Sequence, residues 1–245
     1  MTFHQLDERK TSMLHTLRGR LIVSCQAYPG EPLRDPDAMA RIAQSAVIGG
    51  AAAIRAQGLG DIRAIARSVT VPQIGLWKVG AEGVFITPTL DHAVAVAGAG
   101  AHIVAIDGTR RERPDGLSLA QTIRELKRRA DVLVMADAGS ADDGLAAEDA
   151  GADIVGTTLA GYTGERPRTT GPDLELVNTL AARLSVPLFA EGRIHTPNDA
   201  RAALAAGAYS VVVGTAITHP ASITSWYVEA LAEERTVLAE SHRQD

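Results

Sequence analysis

The chain has 245 residues, 46% of them hydrophobic, 22% charged and only 4% aromatic, and it carries a formal net charge of −5. That is ample apolar material for one sizeable core, and α/β barrels commonly use this length as a single domain. The acidic balance and scattered Lys and Arg argue against a nucleic-acid binder, and no stretch reaches the roughly 18 apolar residues of a membrane span.

MTFHQLDERK has early acidic residues and no apolar signal region, so a cytoplasmic location is expected. Residues 1–15 read as a polar tail or end cap, and LIVSCQ at 21–26 as the first strand. Cys25, the single cysteine, is expected as small core filler, and with no second cysteine there is no intramolecular disulfide. Further strands are expected at AAIRA, PQIGLWK (72–78), HIVAID, VLVMADA (132–138), DIVGTT, PLFAEG (187–192) and YSVVVGT. Helical patterns alternate with them at 36–48, 60–68, 90–98, 118–130, 142–150, 173–184, 197–206 and 221–236. Pro36, Pro172 and Pro197 sit where a first helical turn accepts them, and the basic run RELKRR suits a helix C-terminus. Residues 237–245 read as a second polar tail.

Four times a Gly-Ala pair closes a helical pattern and opens a β-branched run: Gly50-Ala51, Gly100-Ala101, Gly151-Ala152 and Gly207-Ala208. Glycine fits the left-handed residue after a helix, and the spacing of roughly 50 residues is close to two βα units. Eight parallel strands with alternating helices close as a (β/α)₈ TIM barrel, here one domain over 1–245 with short polar extensions. An open doubly wound sheet is the alternative, weakened by the lack of a G-x-G-x-x-G turn after the first strand.

In such a barrel the site lies at the C-terminal ends of the strands. Read in order, those ends are Gln26, Arg55, Lys78, Asp107, Asp137, Thr157 with Thr158, Glu191, then Gly214 with Thr215. So many hydrogen-bonding groups converging on one mouth point to a small polar ligand. A charge closing a buried strand also has a tunable pKa, as acid–base chemistry requires. Loops after the seventh and eighth strands often bind phosphate, which directs attention to Gly192, Arg193, Gly214 and Thr215. The histidines are dispersed without ligand spacing, so no metal is expected. His195 reads as a loop or cap residue, Asp107 as structural and Asp137 as a hydroxyl ligand. The long segment GYTGERPRTTG at 161–171 is a candidate lid, with Tyr162 and Thr163 over the mouth.

The segments SCQAYPGEPL, AIRAQG, QIGLWK, VFITPTL, VMADAGSADDG, ADIVGTTLAGYT, FAEGRIHTP and SVVVGTAITHP, in unbroken order from about Leu21 to about Pro220, resemble the N-acylglucosamine-6-phosphate 2-epimerase family. These are the N-acetylmannosamine-6-phosphate epimerases of sialic acid degradation. The resemblance implies a (β/α)₈ barrel, an isomerase acting on a phosphorylated amino sugar, and no redox cofactor. It implies Lys78 and Glu191 as the catalytic pair, with Gln26, Arg55 and Asp137 around the sugar; Thr157, from its strand end, is expected to join them. Gly192, Arg193, Gly214 and Thr215 match the phosphate end. The chain departs at His219, where the family usually has arginine, and GLWKVGAEGVF and ADAGSADDG also differ in detail.

The implied chemistry is proton removal at C2 of the open-chain sugar by Lys78, with Glu191 as the complementary acid or relay. Lys78 then needs a depressed pKa, from burial or from Arg55 nearby, and Arg55 or Gln26 would stabilise the enolate. A Schiff-base lyase using Lys78 and a non-catalytic sugar-phosphate sensor are the competing readings. A homodimer through the last helix, with Trp226, Tyr227 and Leu231, is a further expectation.

Overall fold

The computed structural model describes residues 8–241. Its sheet is a closed barrel of eight parallel strands in sequence order, β1 pairing with both β2 and β8. The strands are β1 Leu21–Cys25, β2 Ala53–Gln57, β3 Gln73–Leu76, β4 Ile103–Asp107, β5 Leu133–Asp137, β6 Ile154–Gly156, β7 Leu188–Glu191 and β8 Ser210–Val213. The open-sheet alternative is thereby excluded.

Nearly every expected helix is present within a residue or two: α2 Pro36–Ile48, α3 Leu59–Ala66, α4 Leu90–Gly98, α5 Leu119–Arg129, α6 Ala141–Asp149, α7 Leu174–Arg183 and α8 Pro197–Ala205. Their starts follow from side-chain caps. Asp35 accepts from the N–H groups of Asp37 and Ala38, and Ser118 and Thr196 form capping boxes. Gly50, Gly100, Gly151 and Gly207 all have φ between +94° and +113°, as the repeated Gly-Ala signal requires.

Two elements differ from the sequence reading. Residues 8–15 belong to a helix, α1 (Glu8–Leu17), that buries Leu14 and Leu17 in the barrel interior. It therefore acts as an end cap rather than a tail. Its polar composition hides this, because only one narrow stripe is apolar. After β8, an unexpected short helix α9 (Thr215–Thr218) precedes α10 (Pro220–Ser241), which holds the whole expected segment and runs past residue 236. Positions 1–7 and 242–245 of the expected tails lie outside the described residues.

The two faces of each strand feed two cores. Ile22, Ala53, Ile74, Leu76, Ile103, Leu133, Met135, Ile154, Phe189 and Val212 point inward and fill the barrel with Leu14, Leu17 and Tyr209. Val23, Cys25, Ile54, Ala56, Val104, Val134, Val155 and Val211 point outward against the helices. Cys25 is fully buried there, and burial pushes its thiol up to about 12, so it is core filler as expected. Strand side chains alternate faces, so Ser24, Arg55, Asp107, Asp137 and Glu191 share the inward parity and crown the interior core.

Candidate active site

Above the interior core, at the C-terminal ends of the strands, lies an open cavity of about 660 Å³. That is a size suited to a small ligand. Gln26, Arg55, Lys78, Thr158, Glu191, Gly192, Arg193, Gly214, Thr215 and His219 all line it. Residues from β1, β2, β3, β6, β7 and β8 thus meet across sequence separations of more than a hundred residues.

Arg55 is 1% exposed and makes a two-pronged ion pair with Asp137, Nη1 to Oδ1 at 3.1 Å and Nη2 to Oδ2 at 2.6 Å. Its Nη1 also lies 3.2 Å from Glu191 Oε2. Burial opposes the charge on Arg55, but Asp137 and then Glu191 hold it protonated. Room for this pair comes from Gly156, the last inward residue of β6. A Cβ there would lie 2.4 Å from Met135 Cε and 3.2 Å from Asp137 Oδ1.

Asp137 is fully buried beneath this cluster and does not reach the cavity. Both its oxygens are occupied, so in this structure it recognises Arg55 and Thr158 rather than a ligand hydroxyl. Thr158 Oγ1 lies 2.7 Å from Asp137 Oδ1 and 3.1 Å from Glu191 Oε2. One hydroxyl proton serves the closer carboxylate, and a protonated Glu191 can donate back to the threonine oxygen. Burial first, and the charge of Asp137 second, raise the Glu191 carboxyl, against the pull of Arg55.

Lys78 stands just past the end of β3, and a small hairpin fixes it. Val79 N–H donates to Phe85 O, Thr87 N–H to Trp77 O, and Lys78 bridges Ile86. Thr87 anchors the hairpin with its hydroxyl donating to Ala105 O at 2.7 Å, at an unusual φ of +47°. Lys78 N–H itself donates to Gln57 Oε1 at 3.3 Å. The amine donates to Gln26 Oε1 at 2.7 Å, and Gln26 Nε2 donates to Ser24 Oγ at 2.8 Å. Burial lowers the Lys78 pKa, and the Arg55 guanidinium lowers it further. By surface area the residue is exposed, because it projects into the open cavity; its amine is nevertheless crowded by charged neighbours. The crowding governs once a ligand expels water from the mouth.

Not every expected site residue faces the cavity. Thr157 is 3% exposed, and its hydroxyl donates to Glu191 O while accepting from Glu191 N–H. It aligns β7 and leaves the site hydroxyl to Thr158. Arg193 lines the cavity, but its guanidinium bonds to Gly171 O, Ala160 O and Thr169 Oγ1. Among the described residues, the backbone N–H groups of Gly192, Gly214 and Thr215 have no backbone acceptor. Gln26 Nε2 spends one N–H on Ser24 Oγ and keeps the second for a ligand, whereas the Arg55 Nη atoms are turned to Asp137 and Glu191 and its Nε is buried without a partner.

Asp107 is fully buried, held by Thr109 and Arg111, and takes the structural place expected of it. His195 packs on Trp226 with ring centroids 4.7 Å apart. His219 is 4% exposed, stacks at 4.6 Å on Tyr28 and lies 3.3 Å from Glu31 Oε2, off the direction of a hydrogen bond. Ser24, Gln57, Tyr28 and Arg34 join the site without having been singled out in sequence. Inward parity with Ile22 and Arg55 signals Ser24 and Gln57, whereas the loop residues Tyr28 and Arg34 carry no such signal. Among the described residues there is no cluster of metal-ligating side chains, and no helix is long and apolar enough to cross a membrane.

The architecture recurs in proteins of known name. A family model described as "Putative N-acetylmannosamine-6-phosphate epimerase" matches residues 39–233. A Cutibacterium acnes protein named as such a 2-epimerase is 61% identical over 221 residues, covering 89% of this chain and 96% of its own length. One from Caldanaerobacter subterraneus is 48% identical over 226 residues, covering 91% and 95%. The solved N-acetylmannosamine-6-phosphate 2-epimerase from Clostridium perfringens superposes with a TM-score of 0.86 at 38% identity, covering 94% of this chain and 99% of that one. Thiamine phosphate pyrophosphorylase from Pyrococcus furiosus, at 18% identity and a TM-score of 0.59, shares the barrel alone. Matched over most of its length by the family pattern and by relatives that it covers almost end to end, the chain belongs to the N-acetylmannosamine-6-phosphate 2-epimerase family.

Proposed function

We propose that this chain interconverts N-acetylmannosamine 6-phosphate and N-acetylglucosamine 6-phosphate by moving the proton at C2, in amino-sugar and sialic acid degradation. The observation that carries the reading is the placement of Lys78 and Glu191. Strands β3 and β7 stand opposite each other in the ring of eight, so the two residues flank a ligand from opposite sides. Their environments lower the amine and raise the carboxyl, bringing a base and an acid toward neutral pH.

In the open-chain sugar the C1 aldehyde acidifies the C2 proton. Neutral Lys78 takes that proton, its lone pair oriented by the bond to Gln26. The electron pair moves onto O1 as an enolate, stabilised by the new ammonium and the field of Arg55. Protonated Glu191 then returns a proton to C2 from the opposite face, which inverts the centre. Exchange with water in the open cavity resets Lys78 and Glu191. The phosphate goes to the loops after β7 and β8, with the backbone of Gly192, Gly214 and Thr215, and supplies binding energy remote from C2. Proton transfer of this kind needs no redox cofactor, and a phosphorylated sugar places the reaction in the cytoplasm.

Proton NMR with N-acetylmannosamine 6-phosphate in D₂O tests the reading. The gluco epimer should appear with deuterium at C2, and Lys78→Ala should abolish both. Trapping of substrate on Lys78 by borohydride would favour an imine-forming lyase instead, and binding without exchange a sensor.

We also propose a homodimer through α10. Tyr227, Val228 and Leu231 on that helix are 70%, 60% and 67% exposed, and Leu21, Val23, Ile42, Ala46 and Ile217 line an apolar groove outside β1. A second copy can cover both surfaces. Sedimentation of the wild type and of Leu231→Glu tests this; a monomeric wild type refutes it.

A further inference from the structure

The segment 161–171 is built as a closed flap. Gly161 has φ +79°, and a Cβ there would come within 2.9 Å of Arg168 Cα, so the two arms of the segment touch. On its outer side it is tied by Arg110 to Glu165 at 2.9 Å and by Arg166 to Asp173 at 2.6 and 3.0 Å. Its first arm also packs on Gly139, where a Cβ would meet Thr163 Oγ1 at 2.5 Å. None of these ties holds the arm from 168 to 171 on the cavity side.

That hold comes from Arg193. Its Nη1 donates to Ala160 O at 2.8 Å, its Nε to Gly171 O at 3.1 Å and its Nη2 to Thr169 Oγ1 at 3.0 Å. The three acceptors lie at both ends of the flap, so one planar fork closes it. Tyr162, half exposed, has two guanidinium groups near its ring, with Arg168 Cζ 5.2 Å and Arg193 Cζ 5.5 Å from the centroid. Tyr162 and Arg193 both line the cavity. Arg193 sits at φ +53°, directly after Gly192 at +113°. An L-residue other than Gly, Asn or Asp rarely adopts such a backbone, and it persists only where surrounding contacts fix it.

We propose that Arg193 is a positioning residue whose guanidinium locks the 160–171 flap as a fixed wall of the cavity, setting Tyr162 against the bound ligand, while the anion at this end is met by backbone N–H groups. Arg193 thus serves ligand binding through the flap and not by direct contact of its side chain. The kinetic part rests on the epimerase reading above; the structural part does not.

Trypsin reports the lock directly. It cuts after Arg168, whereas the bond after Arg166 is blocked by Pro167. In Arg193→Met, cleavage after Arg168 should speed up roughly ten- to a hundredfold, since three charge-assisted bonds are lost and cleavage follows the open population. Arg193→Lys should not restore protection, because one ammonium cannot reach three acceptors spread across the flap. In turnover KM should rise about tenfold with kcat within about threefold. The affinity for inorganic phosphate, measured by calorimetry, should stay within about twofold. Unchanged cleavage in Arg193→Met overturns the proposal, with or without weaker phosphate binding. If cleavage and phosphate affinity both change, or if Arg193→Met fails to fold, Thr169→Val decides, because it keeps the guanidinium and removes its hold on Thr169 together with the 2.6 Å bond by which that hydroxyl aligns Gly171 O for the same fork. Faster cleavage in Thr169→Val, with the same change in phosphate affinity if there was one, sustains the lock; otherwise the proposal falls. A wild type that protects Arg168 but does not epimerise leaves the lock standing and removes the functional reading.

Discussion

Replacing Arg55 by Met separates the two things this arginine does. In the wild type it neutralises Asp137, which is fully buried, through bonds of 3.1 and 2.6 Å, and it lies 3.2 Å from Glu191. Methionine fills much of the volume but leaves a buried carboxylate with Thr158 as its nearest donor. Removing one partner of a buried pair costs about 3–5 kcal/mol, a large part of the 5–15 kcal/mol that typically holds a domain together. With a slope of roughly 2 kcal/mol per molar urea, the midpoint should fall by about 1.5–2.5 M at pH 7. The pH dependence gives the sharper test. Without the guanidinium, the Glu191 carboxyl, already raised by burial, rises further, and a buried carboxyl left unpaired is held in its protonated form. Such groups contribute their full stability below the unfolded pKa and lose it as pH rises through the folded pKa. The gap between Arg55→Met and wild type should therefore narrow below about pH 4 and widen toward pH 7. Urea denaturation from pH 4 to pH 8 measures it. The double variant Arg55→Met/Asp137→Leu should regain most of the stability at pH 7 and no activity. A pH-independent loss, or no recovery in the double variant, refutes the ion-pair account.

Four further outcomes follow from the same geometry. Thr158→Val removes a hydrogen bond that lowers the Glu191 pKa, so the alkaline limb of kcat/KM should move to higher pH, with kcat down roughly tenfold. In the wild type the acid limb should reflect Lys78, whose lowered pKa lets activity rise with pH well before an ordinary amine would allow; a limb unmoved in Arg55→Lys/Asp137→Asn would count against the role of neighbouring charge. Gly156→Ala places a methyl 2.4 Å from Met135 Cε and 3.2 Å from Asp137 Oδ1. Thermal unfolding should show a loss of about 1–3 kcal/mol, and activity should fall with it as the Arg55–Asp137 pair shifts. Cys25, with its thiol pushed up to about 12 and no exposure, should resist thiol reagents at pH 8 until the protein unfolds.

Apolar β-branched runs closed by a polar or charged residue, and the repeated Gly-Ala helix ends, were enough to read eight βα units and to aim Arg55, Lys78, Asp137 and Glu191 at one rim. Those signals are local: a β-branched run and a left-handed residue after a helix are backbone preferences that a sequence displays directly. The capping helix α1 escaped because its polar composition conceals a buried stripe of Leu14 and Leu17. Both Thr157 and Thr158 stand at the sixth strand's end; parity with Ile154 and Gly156 picks Thr158 for the cavity, a signal that reading the strand ends alone does not use. Arg193 points to a phosphate by type and place, and only the folded chain brings Ala160, Thr169 and Gly171 within reach of its fork. Charge pairing was likewise invisible before closure. Arg55, Asp137, Thr158 and Glu191 come from four strands, and only the ring that joins β8 back to β1 sets the distances at which their protons are shared.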